Sequence, residues 1–219
     1  MKLHVILAIV ALVGGCICLG WGVVQFSSKD MFTSDVRAFL AADADGFVAG
    51  FSDADLRARG AGSRAEYVAR SASSVRSPTE RERARLPEEA RASAVVVTDD
   101  RYEGGLPHTR GAFMFLPADL FAASELDAVV AHELVHLRQR ARPDEARAWA
   151  AAHGYRPSAR QERVPRERAN PDLDGVAWDG PDGRRVAFAY SGEAPRDLHD
   201  GRVVGGTGYE HPYEHQAYA

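Results

Sequence analysis

Cysteine is almost absent from this 219-residue sequence, and its two copies, Cys16 and Cys18, both lie near the amino terminus. The rest of the chain therefore has neither a disulfide nor a cysteine-ligated metal site. An excess of positive charge is also lacking, since the formal net charge is -4 and the isoelectric point is near 6.1. Nothing in this balance attracts nucleic acid, so we expect no nucleic-acid partner.

Only one long apolar run stands out, over residues 5–24, and it contains no charged side chain. A helix of twenty such residues is long enough to cross the hydrocarbon core of a bilayer. We predict that residues 1–26 form a single-pass membrane anchor. A cleaved signal peptide, which would leave a secreted protein, is the alternative, and a lipoprotein signal around Cys16 is a third interpretation.

The remaining chain divides into two parts by pattern. Residues 27–92 are polar and helical, with a capping box at Ser63 and no catalytic motif. Residues 93–219 contain two short β-branched or aromatic runs, at 94–98 and 111–116, and a predicted hairpin formed by 176–178 and 185–190. Pro212 suits the first turn of a terminal helix. We predict an α+β fold, mostly helical with a small mixed sheet.

One helix of the second part carries the chemistry. Ser124 and Asp127 resemble an N-terminal capping box, and Leu126, Val130, Leu134 and Leu137 follow at helical spacing as a buried stripe. On a neighbouring face lies the sequence His132-Glu133-Leu134-Val135-His136. Histidines four residues apart on a helix can bind one zinc ion, and the glutamate between them can serve as a general base. We therefore predict that His132 and His136 bind Zn²⁺ and that Glu133 is catalytic.

A catalytic zinc site needs a third protein ligand. The metzincin pattern is excluded, because Arg142 stands where its third histidine would be and Gln139 replaces its glycine. The chain instead resembles gluzincin-type zinc peptidases and a set of little-characterised HExxH proteins of large DNA viruses and microbes. The resemblance covers about half the chain and rests on 113–117, 132–140, 170–174 and 210–218. It implies a zincin-like fold and Glu214 as the third ligand.

Other third ligands stay open at this stage. Glu210 and His211 are neighbours of Glu214, and Asp172 or Asp174 would give an aspzincin-like site. His153 is expected to close a helix, and His108 and His199 are expected to be exposed to solvent. Three side chains are candidates to stabilise an oxyanion: Tyr218, Tyr213 and His211.

These residues predict a zinc metallopeptidase in which Glu133 deprotonates a metal-activated water that attacks a peptide bond. The partner would be a peptide or protein substrate, and the strand at residues 113–116 is a candidate edge to which it could add. The main alternative is a membrane-tethered interaction domain that keeps the zincin fold without catalysis. A cell-wall amidase would share the same zinc chemistry.

Overall fold

Seven α-helices, two four-stranded sheets and one two-stranded sheet are present in the part of the chain that the computed structural model describes, namely residues 17–19, 22–24, 28–161, 163–164 and 166–219. This confirms the predicted α+β class. A second, fully antiparallel sheet accompanies the mixed one, so the β content exceeds what the sequence pattern predicted.

Most of the predicted membrane segment lies outside the described residues. The two pieces of it that are described, β1 (Ile17–Leu19) and β2 (Gly22–Val24), pair as antiparallel strands. Within the described part of the chain, no helix combines the length and the apolar character that crossing a membrane requires.

Four helices form the first part of the described chain: α1 (Ser28–Ala41), α2 (Asp53–Ala58), α3 (Arg64–Ser73) and α4 (Glu80–Arg85). Local side chains determine where three of them begin. Ser52, Ser63 and Thr79 each accept a hydrogen bond from the backbone amide three residues later, which satisfies one unpaired donor of the first turn. Helix α3 stops at Ser73 because Val75 already belongs to a strand.

The mixed sheet contains β3 (Val75–Arg76), β4 (Ala94–Thr98), β5 (His108–Arg110) and β6 (Phe113–Pro117), in the order β3-β4-β6-β5. Strands β4 and β6 run parallel, and the other pairs are antiparallel. Both faces of β4 and β6 are covered, which explains their nearly continuous apolar sequences. Strand β6 is therefore an interior strand, and the prediction that residues 113–116 form a substrate-binding edge is wrong.

Helix α5 (Leu126–Ala141) packs on one face of this sheet and carries the HExxH sequence. Leu126 and Val130 are buried against the sheet, and Leu134 and Leu137 pack beside them, as the predicted stripe requires. The predicted cap at Ser124 is wrong: Glu125 occupies the N-cap position, and no side chain caps the helix. A short 3-10 helix over Ala118–Ala122 leads into α5.

The rest of the chain forms two helices and four strands. Its elements are α6 (Pro143–Ala152), β7 (Arg156–Pro157), β8 (Trp178–Asp179), β9 (Arg185–Tyr190), β10 (Gly201–Val204) and α7 (Pro212–Ala217). The four strands form the antiparallel sheet β10-β9-β8-β7, which contains the predicted hairpin. The predicted terminal helix is α7, with Pro212 in its first turn. It packs on α5 and α6, which brings the end of the chain beside the HExxH sequence.

Candidate metal centre

Three side chains from two helices converge on one point. His132 and His136 lie one turn apart on α5, and their Nε2 atoms are 3.0 Å apart. Glu214 reaches them from α7, with Oε2 lying 3.4 Å from His132 Nε2 and Oε1 lying 3.8 Å from His136 Nε2. This His-His-Glu group could hold a metal ion.

The spacing of these atoms fits zinc. Tetrahedral bonds of about 2.0–2.2 Å to nitrogen and oxygen separate neighbouring ligand atoms by about 3.3–3.5 Å. The observed 3.0 and 3.4 Å, and the 3.8 Å to the other oxygen of the same carboxylate, lie around that separation. Two imidazole nitrogens 3.0 Å apart would also repel each other if both presented lone pairs, unless a proton or a cation lay between them. The donor set and its spacing therefore suit a divalent cation of the zinc type.

Gln139 determines which nitrogen of His136 faces the metal position. The Nε2 atom of Gln139 donates to the carbonyl oxygen of Tyr213 at 3.0 Å, and this unambiguous acceptor fixes the orientation of the amide. The amide oxygen of Gln139 lies 2.9 Å from Nδ1 of His136 and must accept a hydrogen bond from it. His136 consequently carries its proton on Nδ1 and presents the lone pair of Nε2 to the metal position.

Asn170 supports the carboxylate in a similar way. Its Nδ2 donates to Oε1 of Glu214 at 3.0 Å. Burial by itself raises the pKa of Glu214, but the hydrogen bond from His132, together with the positive charge that His136 and His132 carry when protonated, outweighs it and lowers the pKa to about 2. The carboxylate is thus ionised at neutral pH, as a metal ligand must be.

Glu133 lies beside the three ligand side chains and lines the same cleft. It is buried, and its Oε2 has no hydrogen-bond partner among the described residues. Burial, followed by the negative charges of Asp172 and Glu214, raises the pKa of Glu133 well above its usual range. A cation held nearby acts in the opposite direction, because it favours the ionised form that can accept a proton.

The structure brings none of the competing third ligands into the group. Glu210 forms an ion pair with Arg168, and His211 pairs with Asp174, their Nε2 and Oδ1 atoms lying 3.4 Å apart. Asp172 accepts two hydrogen bonds from Thr109, one of 2.6 Å from the amide and one of 2.7 Å from the hydroxyl. Each competitor already has a protein partner that satisfies it.

Predictions for three other side chains have mixed outcomes. His199 and His153 are exposed, and His153 closes α6 with its Nδ1 2.8 Å from the carbonyl oxygen of Trp149. The prediction that His108 is exposed is wrong: its side chain is buried and stacks on Phe115, with ring centroids 4.9 Å apart. The turn-like sequence around His108 hid the fact that this residue begins strand β5.

Sequence reasoning gave no role in the site to Gln139 or Asn170. Gln139 lies three residues after His136, a spacing that places two helical side chains together, so the sequence did contain a signal for it. Asn170 lies far from both helices along the chain, and nothing in its sequence context indicates a contact with Glu214. Only the fold shows that contact.

The metal group opens into a cleft of about 790 Å³ between α5 and the antiparallel sheet. His132, Glu133 and Glu214 line this cleft, and the ring of Tyr218, 68 % exposed, contacts the ring of His132 at an angle, with centroids 4.4 Å apart. Apolar side chains such as Val129 and Phe188 also line it, together with charged ones such as Glu103, Arg168 and Asp172. Comparison of this chain with known protein families, with curated proteins and with solved structures finds no match, so the interpretation of the site rests on its geometry.

Proposed function

We propose that this protein is a zinc-dependent peptidase of the zincin type. The observation that carries the proposal is the convergence of His132, His136 and Glu214 on one point, with the buried carboxylate of Glu133 beside them in an open cleft. Two histidines and a glutamate form a ligand set that catalytic zinc sites use while leaving a position open.

When bound, zinc supplies Lewis-acid polarisation of a carbonyl group and lowers the pKa of a water molecule. The side chains of the chain supply the rest of the reaction. Glu133 accepts a proton from the attacking water and then returns it to the leaving amine. Gln139 keeps Nε2 of His136 free of its proton, and Asn170 orients the carboxylate of Glu214. The Tyr218 hydroxyl is our candidate for stabilising the oxyanion.

The cleft supports a peptide or protein as substrate. Its volume of about 790 Å³ is enough for several side chains. The two arginines that line the cleft are both paired with carboxylates, because Arg59 pairs with Glu103 and Arg168 pairs with Glu210. An extended chain with apolar side chains matches these walls better than a polyanion does. Attachment to a membrane through residues 1–26 remains part of the proposal, on the sequence evidence alone.

Zinc content and hydrolysis of a random decapeptide library, measured together on the full-length protein, test this function. Glu133→Gln is expected to keep about one zinc per chain and to lose about 10²- to 10⁴-fold in turnover. Glu214→Ala is expected to lose zinc. Asp127→Asn is the matched control, since Asp127 is an exposed carboxylate in the first turn of the same helix and does not line the cleft, and it should behave as wild type.

Two results would refute the proposal in different ways. A wild-type protein that binds no zinc from a zinc-buffered solution would remove its basis. A protein that binds zinc but cleaves no member of the library would favour the non-catalytic alternative.

A further inference from the structure

The sheet edge nearest the HExxH helix is closed by the protein itself. Strand β5 is that edge, and Thr109 is the residue whose backbone groups point away from β6. Its amide donates to Oδ1 of Asp172 at 2.6 Å, and its carbonyl oxygen accepts from Nη2 of Arg140 at 2.9 Å. A substrate strand would have to displace both side chains, so this edge has no free backbone group at its centre.

The other sheet presents an open edge to the same cleft. Strand β10 is its terminal strand, and Val203 lies opposite Phe188 of β9. The carbonyl of Phe188 points away from β10, because it accepts a hydrogen bond from the amide of Arg168 at 2.8 Å. Two residues directly opposite each other in an antiparallel pair either both direct their amide and carbonyl toward the partner strand or both direct them away from it. The amide and carbonyl of Val203 therefore point away from β9, toward the open edge. Neither group has a partner in the described part of the chain.

The open edge and the metal centre contribute residues to one cleft. Val203 and Phe188 line the same cleft as His132 and Glu214. Leu198 adds a third apolar side chain beside them. Side chains of a strand added to β10 would alternate between this apolar wall and solvent.

We propose that an extended polypeptide segment binds by adding as a strand to the free edge of β10, through the amide and carbonyl of Val203. The segment then continues along the cleft to the His132, His136 and Glu214 group. That the bound peptide is a substrate rests on the proposed function, but its binding to β10 is measured without hydrolysis. The predicted substrate class is unfolded or loop-borne polypeptide with an apolar side chain that packs against Phe188.

The decisive variant is Val203→Pro, because proline lacks the outward amide hydrogen and is tolerated on an edge strand at that orientation. Val203→Ala is the matched control, since it shortens the side chain and keeps the amide. Both are made in the full-length, zinc-loaded Glu133→Gln protein, and binding of a fluorescein-labelled random decapeptide pool is measured by anisotropy. A second pool is N-methylated at every backbone amide, so it cannot donate a hydrogen bond to the carbonyl of Val203 through either of its edges. Zinc content is measured for every variant and shows whether the metal centre is intact.

The pool is expected to bind the Glu133→Gln protein, and Val203→Pro is expected to weaken this binding about tenfold, as for a lost backbone hydrogen bond. Val203→Ala should weaken it less than about threefold, and the N-methylated pool should bind about tenfold more weakly. Equal binding by the proline variant, equal losses in the alanine and proline variants, or no binding of the pool would each overturn strand addition to β10. Binding with these responses, combined with no hydrolysis by wild type, would reject the peptidase and keep the docking edge.

Discussion

Replacing Gln139 by leucine tests whether the metal centre depends on the contact between α5 and α7. The amide of Gln139 is buried and joins three groups: Nδ1 of His136 at 2.9 Å, the carbonyl oxygen of Tyr213 at 3.0 Å and Oε1 of Gln216 at 3.0 Å. Leucine preserves most of the volume and removes all three hydrogen bonds. The half-exposed Gln216 can turn to water, whereas the other two partners are buried.

The expected loss of stability comes from the two buried groups that would be left without a partner. A buried polar group that loses its partner costs about 1–3 kcal/mol, so we expect the free energy of unfolding to fall by about 2–6 kcal/mol. The effect on zinc should be separate, because His136 loses the group that fixes its tautomer and α7 loses a link that holds Glu214 in place. Removing such an outer partner weakens metal affinity about 10- to 100-fold.

Urea unfolding of the metal-free protein measures the first effect, and competition with a chelator measures the second. Arg138→Ala is the control, because Arg138 is an exposed neighbour on the same helix. If Gln139→Leu kept its zinc affinity within twofold of wild type, the proposed role of Gln139 in fixing His136 would be wrong. If zinc affinity fell but the free energy of unfolding did not change, the hydrogen bonds of Gln139 would not be what holds α7 against α5.

Asn170→Leu should weaken zinc binding about 10- to 100-fold by releasing the carboxylate of Glu214, and an unchanged affinity in a chelator competition would contradict this. Glu103→Gln should cost about 3–5 kcal/mol in urea unfolding, because it takes one of its two carboxylate partners from the buried Arg59; a loss below 1 kcal/mol would refute that reasoning. The hydrogen bond from Arg76 is the largest of the causes that lower the pKa of Glu82 to about 2. The pair therefore stabilises the fold at pH values above the unfolded pKa of about 4.3, and this stabilisation is lost as the pH falls toward 2. The free energy of unfolding of Arg76→Met should therefore fall less than that of wild type between pH 6 and pH 3. Equal decreases would show that the contact between Arg76 and Glu82 does not stabilise the fold.

Local patterns predicted the elements that depend on short stretches of chain. The apolar stripe of α5, the proline that begins α7 and the β-branched run of β4 each became the expected element, because helix and strand periodicity is a property of neighbouring residues. The N-terminus of α5 was predicted wrongly. Ser124 is a suitable capping residue, but the preceding 3-10 turn sets the direction of the chain there.

Strand order was beyond local patterns. The interior position of β6 follows from its parallel pairing with β4, and the burial of His108 follows from the pairing of β5 with β6. These pairings join segments that are separated along the chain. The sequence of one strand carries no information on which neighbour will cover its edge.

The sequence by itself determined the two histidines and the glutamate of the HExxH helix, because one turn of helix places them together whatever surrounds them. Tertiary structure decided the third member of the group. Glu210, His211 and Glu214 lie within five residues of one another, yet only Glu214 reaches the two histidines, since the first pairs with Arg168 and the second packs against the loop before β8. Packing of α7 on α5 makes that selection, and no spacing within α7 encodes it.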